Sequence, residues 1–141
     1  MFEIKHIDHL VIRVRNLQAM LDFYTNIIGC SIEKIQENLG LYQLRAGSSL
    51  IDFVPVDRPL GKLGGAAPGA EGRNLDHFCL RIEPFVGEEL LEYFRTRGIE
   101  PGKVENRYGA EGDGPSIYLN DPEGNMIELK GPPGEAQVLA R

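Results

Sequence analysis

Ile7-Asp8-His9-Leu10-Val11-Ile12-Arg13-Val14 returns 68 residues later as Leu75-Asp76-His77-Phe78-Cys79-Leu80-Arg81-Ile82. Asp, His and Arg hold the same three places in both copies, and the other five places are apolar. A strand alternates its side chains between two faces. In the first copy Leu10, Ile12 and Val14 share one face, which suits a covering helix. His9, Val11 and Arg13 share the other, which must tolerate polar groups. Both octets therefore read as strands, at 7–14 and from 75, each presenting one histidine from the same point.

The residues after each octet repeat as well. Asn16 is placed to cap a helix through its side-chain oxygen. Leu17, Met20, Leu21, Tyr24, Ile27 and Ile28 then recur at helical spacing, and Gly29 ends the run. Three strand-like runs follow, near 31–37, 41–46 and 49–54, punctuated by Asn38-Leu39-Gly40 and Gly47-Ser48. After the second octet, Val86, Leu90, Tyr93, Phe94 and Arg97 mark a helix closed by Gly98. Strands are expected near 102–107, 115–120 and 125–130, the last two joined by the turn-forming Asp121-Pro122-Glu123-Gly124-Asn125. The expected fold class is α+β, two tandem βαβββ modules with mixed sheets curved around a central site. Module one spans 4–54, a glycine- and proline-rich linker or flap 55–74, module two 75–130, and a tail 131–141, together forming one domain. The glycine-rich stretch 108–114 reads as a loop.

Superposing the last strands of the two modules sets Asp52 over Glu128. Their neighbours Ile51 and Phe53, and Ile127 and Leu129, are apolar and point to the helix side. Both carboxylates therefore point the same way as His9 and His77. Paired about a pseudo-twofold axis, two such sheets bring His9, Asp52, His77 and Glu128 toward one centre. Two imidazoles and two carboxylates suit a divalent first-row cation with room for water or substrate. Without a cation, four such groups away from water would be costly. His6 has no counterpart and the wrong parity, and reads as structural. Cys79 reads as a small buried filler.

Composition narrows the partners. Hydrophobic residues make up 42% of the 141 and charged residues 26%, with a net charge of −6. No Lys/Arg stripe is present, so nucleic acid and anionic membrane are not expected partners. No apolar run approaches the ~18 residues that span a bilayer. The N-terminus has no signal-like pattern, and Cys30 and Cys79 read as reduced thiols of a cytoplasmic protein.

Asp8-His9-Leu10-Val11-Ile12, Phe23-Tyr24 before Ile28-Gly29, His77, and Asp121-Pro122-Glu123-Gly124-Asn125-Met126-Ile127-Glu128 resemble the vicinal oxygen chelate superfamily over about residues 4–130. This superfamily includes glyoxalase I, thiol transferases of fosfomycin resistance, extradiol dioxygenases and bleomycin-resistance proteins. The resemblance implies metal ligation by His9, His77 and Glu128, with Asp52 standing where glyoxalase I has a glutamate. Asp is one methylene shorter, which puts direct ligation by Asp52 in question. It further implies a divalent ion (Ni, Zn, Co, Mn or Fe) and a small substrate chelated through two adjacent oxygens, whose enediolate or oxyanion is stabilised. Glu128, or alternatively Asp52, would move the proton. Arg13, Arg81, Arg107, Tyr108 and Tyr118 are candidate substrate contacts; for Arg13 and Arg81, pairing with Asp52 and Glu128 or a rim position is the favoured reading. A glyoxalase I-like lyase or isomerase leads. An Fe(II) extradiol-type dioxygenase, a thiol transferase and a metal-free binding module remain alternatives. A homodimer is expected, with the modules pairing within a chain or exchanging between chains.

Overall fold

The computed structural model describes residues 1–134. The predicted tail at 131–141 lies mostly outside that range. The chain divides between Asn74 and Leu75 into two compact units. Unit one holds β1 (His9–Val14), α1 (Leu17–Asp22), β2 (Ser31–Gln36), β3 (Leu41–Ala46), β4 (Ser49–Pro55) and the short α2 (Pro59–Lys62). Unit two holds β5 (His77–Arg81), α3 (Gly87–Arg95), β6 (Glu105–Gly109), β7 (Gly112–Asn120) and β8 (Met126–Lys130). The sheets have the same topology, β1-β4-β3-β2 and β5-β8-β7-β6. In each the first and last strands run parallel and the other pairings are antiparallel. These are the two βαβββ modules expected from the repeat.

Register makes the repeat exact at the level of pairs. His9 lies opposite Leu50 and Val11 opposite Asp52. His77 lies opposite Met126 and Cys79 opposite Glu128. Asp52 and Glu128 thus occupy equivalent points, one pleat along from their histidine.

The alternation of β1 does what its sequence demands. Ile12 and Val14 are buried, with Met20, Phe23, Tyr24, Leu44, Ile51 and Phe53. Tyr24 meets Phe23 and Phe53 edge-on, at centroid distances of 5.2 and 5.1 Å. In unit two Phe78, Phe94, Ile117, Leu119, Ile127 and Leu129 form the counterpart core.

The caps follow the sequence. Asn16 Oδ1 accepts from the Ala19 amide at 3.1 Å, and Gly29 takes the left-handed φ of +95°. The helix itself differs from expectation. After Asp22 it widens into a π-helix over Phe23–Ile28. A π turn carries more residues per turn, so the adjacent Phe23 and Tyr24 both reach the core, where strict helical spacing selects Tyr24 alone.

Four other expectations are corrected. The strands are shorter at their starts: Ile7 is 77% exposed and precedes β1, because the pairing with β4 begins at His9. Similarly β5 begins at His77, two residues after the expected start. The 108–114 stretch is a hairpin rather than a loop, with β6 running to Gly109, β7 starting at Gly112, and Ala110-Glu111 as its two-residue turn. The segment after β4 is anchored rather than free. Arg13 donates to the carbonyls of Gly61, Gly64, Gly65 and Ala66 at 2.6–3.2 Å, and Asn74 Nδ2 donates to the Arg13 carbonyl at 2.9 Å. Gly61 is required there, since a Cβ would fall 1.8 Å from the Pro55 carbonyl oxygen.

Candidate functional site

Each unit gathers one histidine and one carboxylate on the sheet face away from its helix. In unit two they touch: His77 Nε2 lies 3.4 Å from Glu128 Oε1. The His77 Nδ1 faces Asp76 Oδ2 at 3.4 Å, and the ring meets Tyr118 edge-on at 5.3 Å. Tyr118 is the cross-strand partner of Glu128. Burial pushes its phenol pKa up, the Glu128 charge adds to this, and Arg107 opposes it. The Arg107 guanidinium lies 4.4 Å from the Tyr118 ring centroid and donates to Ser116 and Glu105.

In unit one the pair is looser. His9 Nδ1 lies 2.8 Å from Asp8 Oδ1, and this hydrogen bond raises the imidazole pKa, with Asp52 adding a smaller push. Asp52 is 2% exposed, and desolvation raises its carboxyl pKa; the Gln43 amide and His9 oppose the shift. Gln43 Nε2 donates to Asp52 Oδ2 at 3.2 Å. Among the described residues Asp52 Oδ1 is buried with no hydrogen-bond partner. An orphaned carboxylate oxygen is expensive to bury, so this position is suited to a water or a cation.

The direction of the Asp52 shift gives a prediction. Its folded-state pKa lies above the unfolded value, so the folded protein binds the proton more tightly. Its contribution to stability is present at acid pH and is lost as pH rises from the unfolded value of ~3.9 through the folded one. Asp52→Asn should flatten that fall in the metal-free protein and raise its stability at neutral pH. Urea unfolding from pH 4 to 7.5 checks this: a variant that falls as steeply as the wild type refutes it.

The remaining candidates are placed as follows. Arg13 and Arg81 are paired, but not with the carboxylates expected. Arg13 is spent on the four carbonyls, while Arg81 binds Glu111 at 2.5 Å and Glu83 at 2.9 Å. Tyr108 is 82% exposed beside the hairpin turn. Cys79 is exposed rather than a buried filler, because β5 is an edge strand and Cys79 sits on its polar face. Enough protein still surrounds its sulfur for desolvation, then Glu128, to push the thiol to about 11. Cys30 is buried, and burial raises its thiol to about 11 as well.

Two residues at these sites went unread in the sequence, Gln43 and Lys130. The turn at Gly47-Ser48 sets Gln43 opposite Asp52, so its place was available from turn geometry. Lys130 shares parity with Glu128 two residues before it, a signal masked by the rarity of buried lysine.

The profile of the Glyoxalase/Bleomycin resistance protein/Dioxygenase superfamily matches residues 6–129. The chain belongs to this superfamily. It is 28% identical to virulence protein STM3117 of Salmonella typhimurium, over 89% of this chain and 83% of that one. The crystal structure of that protein aligns over 92% of this chain and 98% of its own, with a TM-score of 0.73. Biphenyl-2,3-diol 1,2-dioxygenase 3 of Rhodococcus globerulus is 29% identical over 86% of this chain, which spans 60% of that enzyme's length. The structure of lactoylglutathione lyase from Agrobacterium tumefaciens, 20% identical, shares the fold over 89% of this chain and 92% of its own, with a TM-score of 0.63.

Members of the superfamily include lyases and dioxygenases, so a divalent cation must be tested against this site. Among the described residues no group of three or more His, Cys, Asp or Glu side chains is gathered for a metal. Each unit supplies two donors of the right chemistry, and the orphaned Asp52 Oδ1 is a lone pair available to a cation. The donor types fit. No helix among the described residues is long and apolar enough to cross a membrane.

Proposed function

We propose that the chain is a divalent-cation-dependent enzyme of the glyoxalase I kind, a lyase or isomerase acting on a small substrate with two adjacent oxygens. His9, His77 and Glu128 are its metal ligands, with Asp52 as the fourth position, direct or through water. The supporting observation is the repeated His-carboxylate pair, set in identical register in both units and carrying one orphaned buried oxygen. A bound cation would supply Lewis acidity toward the two substrate oxygens. The chain's own groups supply the rest. Glu128 moves the proton between neighbouring carbons, and Asp52, whose raised pKa favours accepting a proton, is the alternative base. Tyr118 stays protonated at neutral pH and donates a hydrogen bond to substrate. Arg107 holds the Tyr118 ring, and Tyr108 stands at the rim. The ligand set takes a pair from each unit, of one chain or of two chains in a homodimer. The location that goes with reduced Cys30 and Cys79 is the cytoplasm.

The test is metal analysis of protein purified without chelator, together with Ni, Co, Zn, Mn and Fe(II) titration of wild type and His77→Ala. Stoichiometric uptake by wild type and its loss in the variant support the proposal; equal binding by both proteins refutes it. The relation to the biphenyl-diol dioxygenase favours a second reading, Fe(II)-dependent ring cleavage. Oxygen uptake with catechols by the iron-loaded protein distinguishes the two.

A further inference from the structure

Lys130 is 6% exposed, on the same strand face as Glu128 and one pleat further along β8. Burying an ammonium without function is costly, and lysines are almost never buried this far unless paired. Its Nζ donates to the Gly112 carbonyl at 2.9 Å, the hydrogen bond found for it among the described residues. An ammonium carries three N–H donors, so two have no acceptor among the described residues.

The surrounding hairpin is shaped to hold it. A Cβ at Gly109 would lie 2.9 Å from Lys130 Cε, and one at Gly114 would lie 2.9 Å from Nζ. Real Cβ contacts are not that close, so a side chain at either position would push the end of Lys130 aside. The hairpin and the strands border an open pocket of about 210 Å³, lined by Cys79, Arg81, Tyr108, Glu111, Glu128 and Lys130 among others. At ~30 Å³ per water, this holds about seven waters, or one end of a small organic acid.

The charges in the cavity divide into two sets. Arg81 is matched by Glu111 and Glu83. Among the described residues Lys130 has no carboxylate in a salt bridge, and Glu128 is the remaining anion of the lining. A cation taken by Glu128 would use that negative charge and leave Lys130 uncompensated. The cavity would then favour an anion.

We infer that Lys130, held by the glycine hairpin, binds a carboxylate of the substrate, and that the substrate is a small 2-hydroxy or 2-oxo diacid. This rests on the metal-dependent reading above. One end of such a diacid offers two adjacent oxygens, and its distal carboxylate reaches Lys130. The separation is suitable: Glu128 and Lys130 lie two strand residues apart, about 6.6 Å along β8.

The experiment uses metal-loaded wild type and two probes of equal length, 2-hydroxyglutarate and 2-hydroxyvalerate. They share the chelating end, and only the first has a distal carboxylate. Calorimetric titration should show wild type binding 2-hydroxyglutarate about 10- to 100-fold more tightly, the range of a charge-assisted hydrogen bond. Lys130→Met should lose that preference and bind the metal at least as tightly as wild type. Lys130→Gln, which keeps a donor to the Gly112 carbonyl, guards against a folding defect in the Met variant and should lose the preference too. Metal uptake by wild type with equal affinity for the two acids overturns the Lys130 site alone. A preference that persists in both variants does the same. Failure of wild type to take up metal overturns the metal-dependent reading and this inference with it.

Discussion

Glu128→Ala is expected to lower divalent-cation affinity by more than the roughly 10–100-fold typical of losing a second-shell partner, because a ligand itself is removed. The carboxylate is buried, and His77 approaches it at 3.4 Å. Its loss leaves His77 without its closest anionic neighbour on β8. The same change at Asp52 should cost less, since Asp52 is one methylene shorter and Gln43 already occupies one of its oxygens. Competition against a chromophoric chelator measures both affinities, and turnover should fall in parallel with metal occupancy for Glu128→Ala. Equal losses at the two positions would make Asp52 a full ligand, and no loss at Glu128 would remove it from the ligand set.

Asp121→Ala should destabilise the protein by about 3 kcal/mol, on the basis of ~1–3 kcal/mol for each buried donor left unpaired. Asp121 is 5% exposed, and its Oδ1 accepts the backbone amides of Glu123 and Asn125 at 2.9 and 3.0 Å. Its Oδ2 accepts Asn125 Nδ2 at 2.9 Å. Gly124 completes the turn at φ +81°. Three donors would lose their acceptor together, and the expected fall in melting temperature is roughly 10 °C. This turn also starts β8, so the variant should lose metal affinity beyond what its stability explains. Asp121→Asn keeps one acceptor oxygen and should fall between the two. Calorimetric melting of the three proteins, with a Lys103→Ala control on the exposed segment before β6, tests this ordering.

The repeat made most of the fold legible. Two octets of matching parity predict two strands, each with its helix side and its polar side, and the register confirms both. The turn residues Gly47-Ser48 and Asp121 through Asn125 placed the hairpins because their conformational demands are local. What stayed hidden depends on partners distant in sequence. Arg13 reads as the partner of a strand carboxylate or as a rim residue, yet its acceptors are carbonyls around fifty residues away, which no side-chain pattern announces. The π-helical stretch has the same composition as an α-helix and differs only in how the core draws Phe23 inward. The glycines of 108–114 suggested a loop because glycine usually signals conformational freedom; at Gly109 and Gly114 it signals missing volume. Asp52 was legible as a candidate, but that its Oδ1 is orphaned among the described residues depends on how the groups around β4 pack.

The hairpin around Lys130 has a consequence for how this chain can diverge. Exposed turns are ordinarily where sequence drifts most freely. Here Ala110 and Glu111 form the exposed tip, while Gly109 and Gly114 on either side cannot gain a side chain without displacing a buried cation. Among natural variants of this protein, the tip should vary while the flanking glycines and Lys130 change together or stay fixed. A lineage in which all three are replaced would have exchanged the proposed preference for an acidic ligand for another, without any change to the exposed tip of the hairpin.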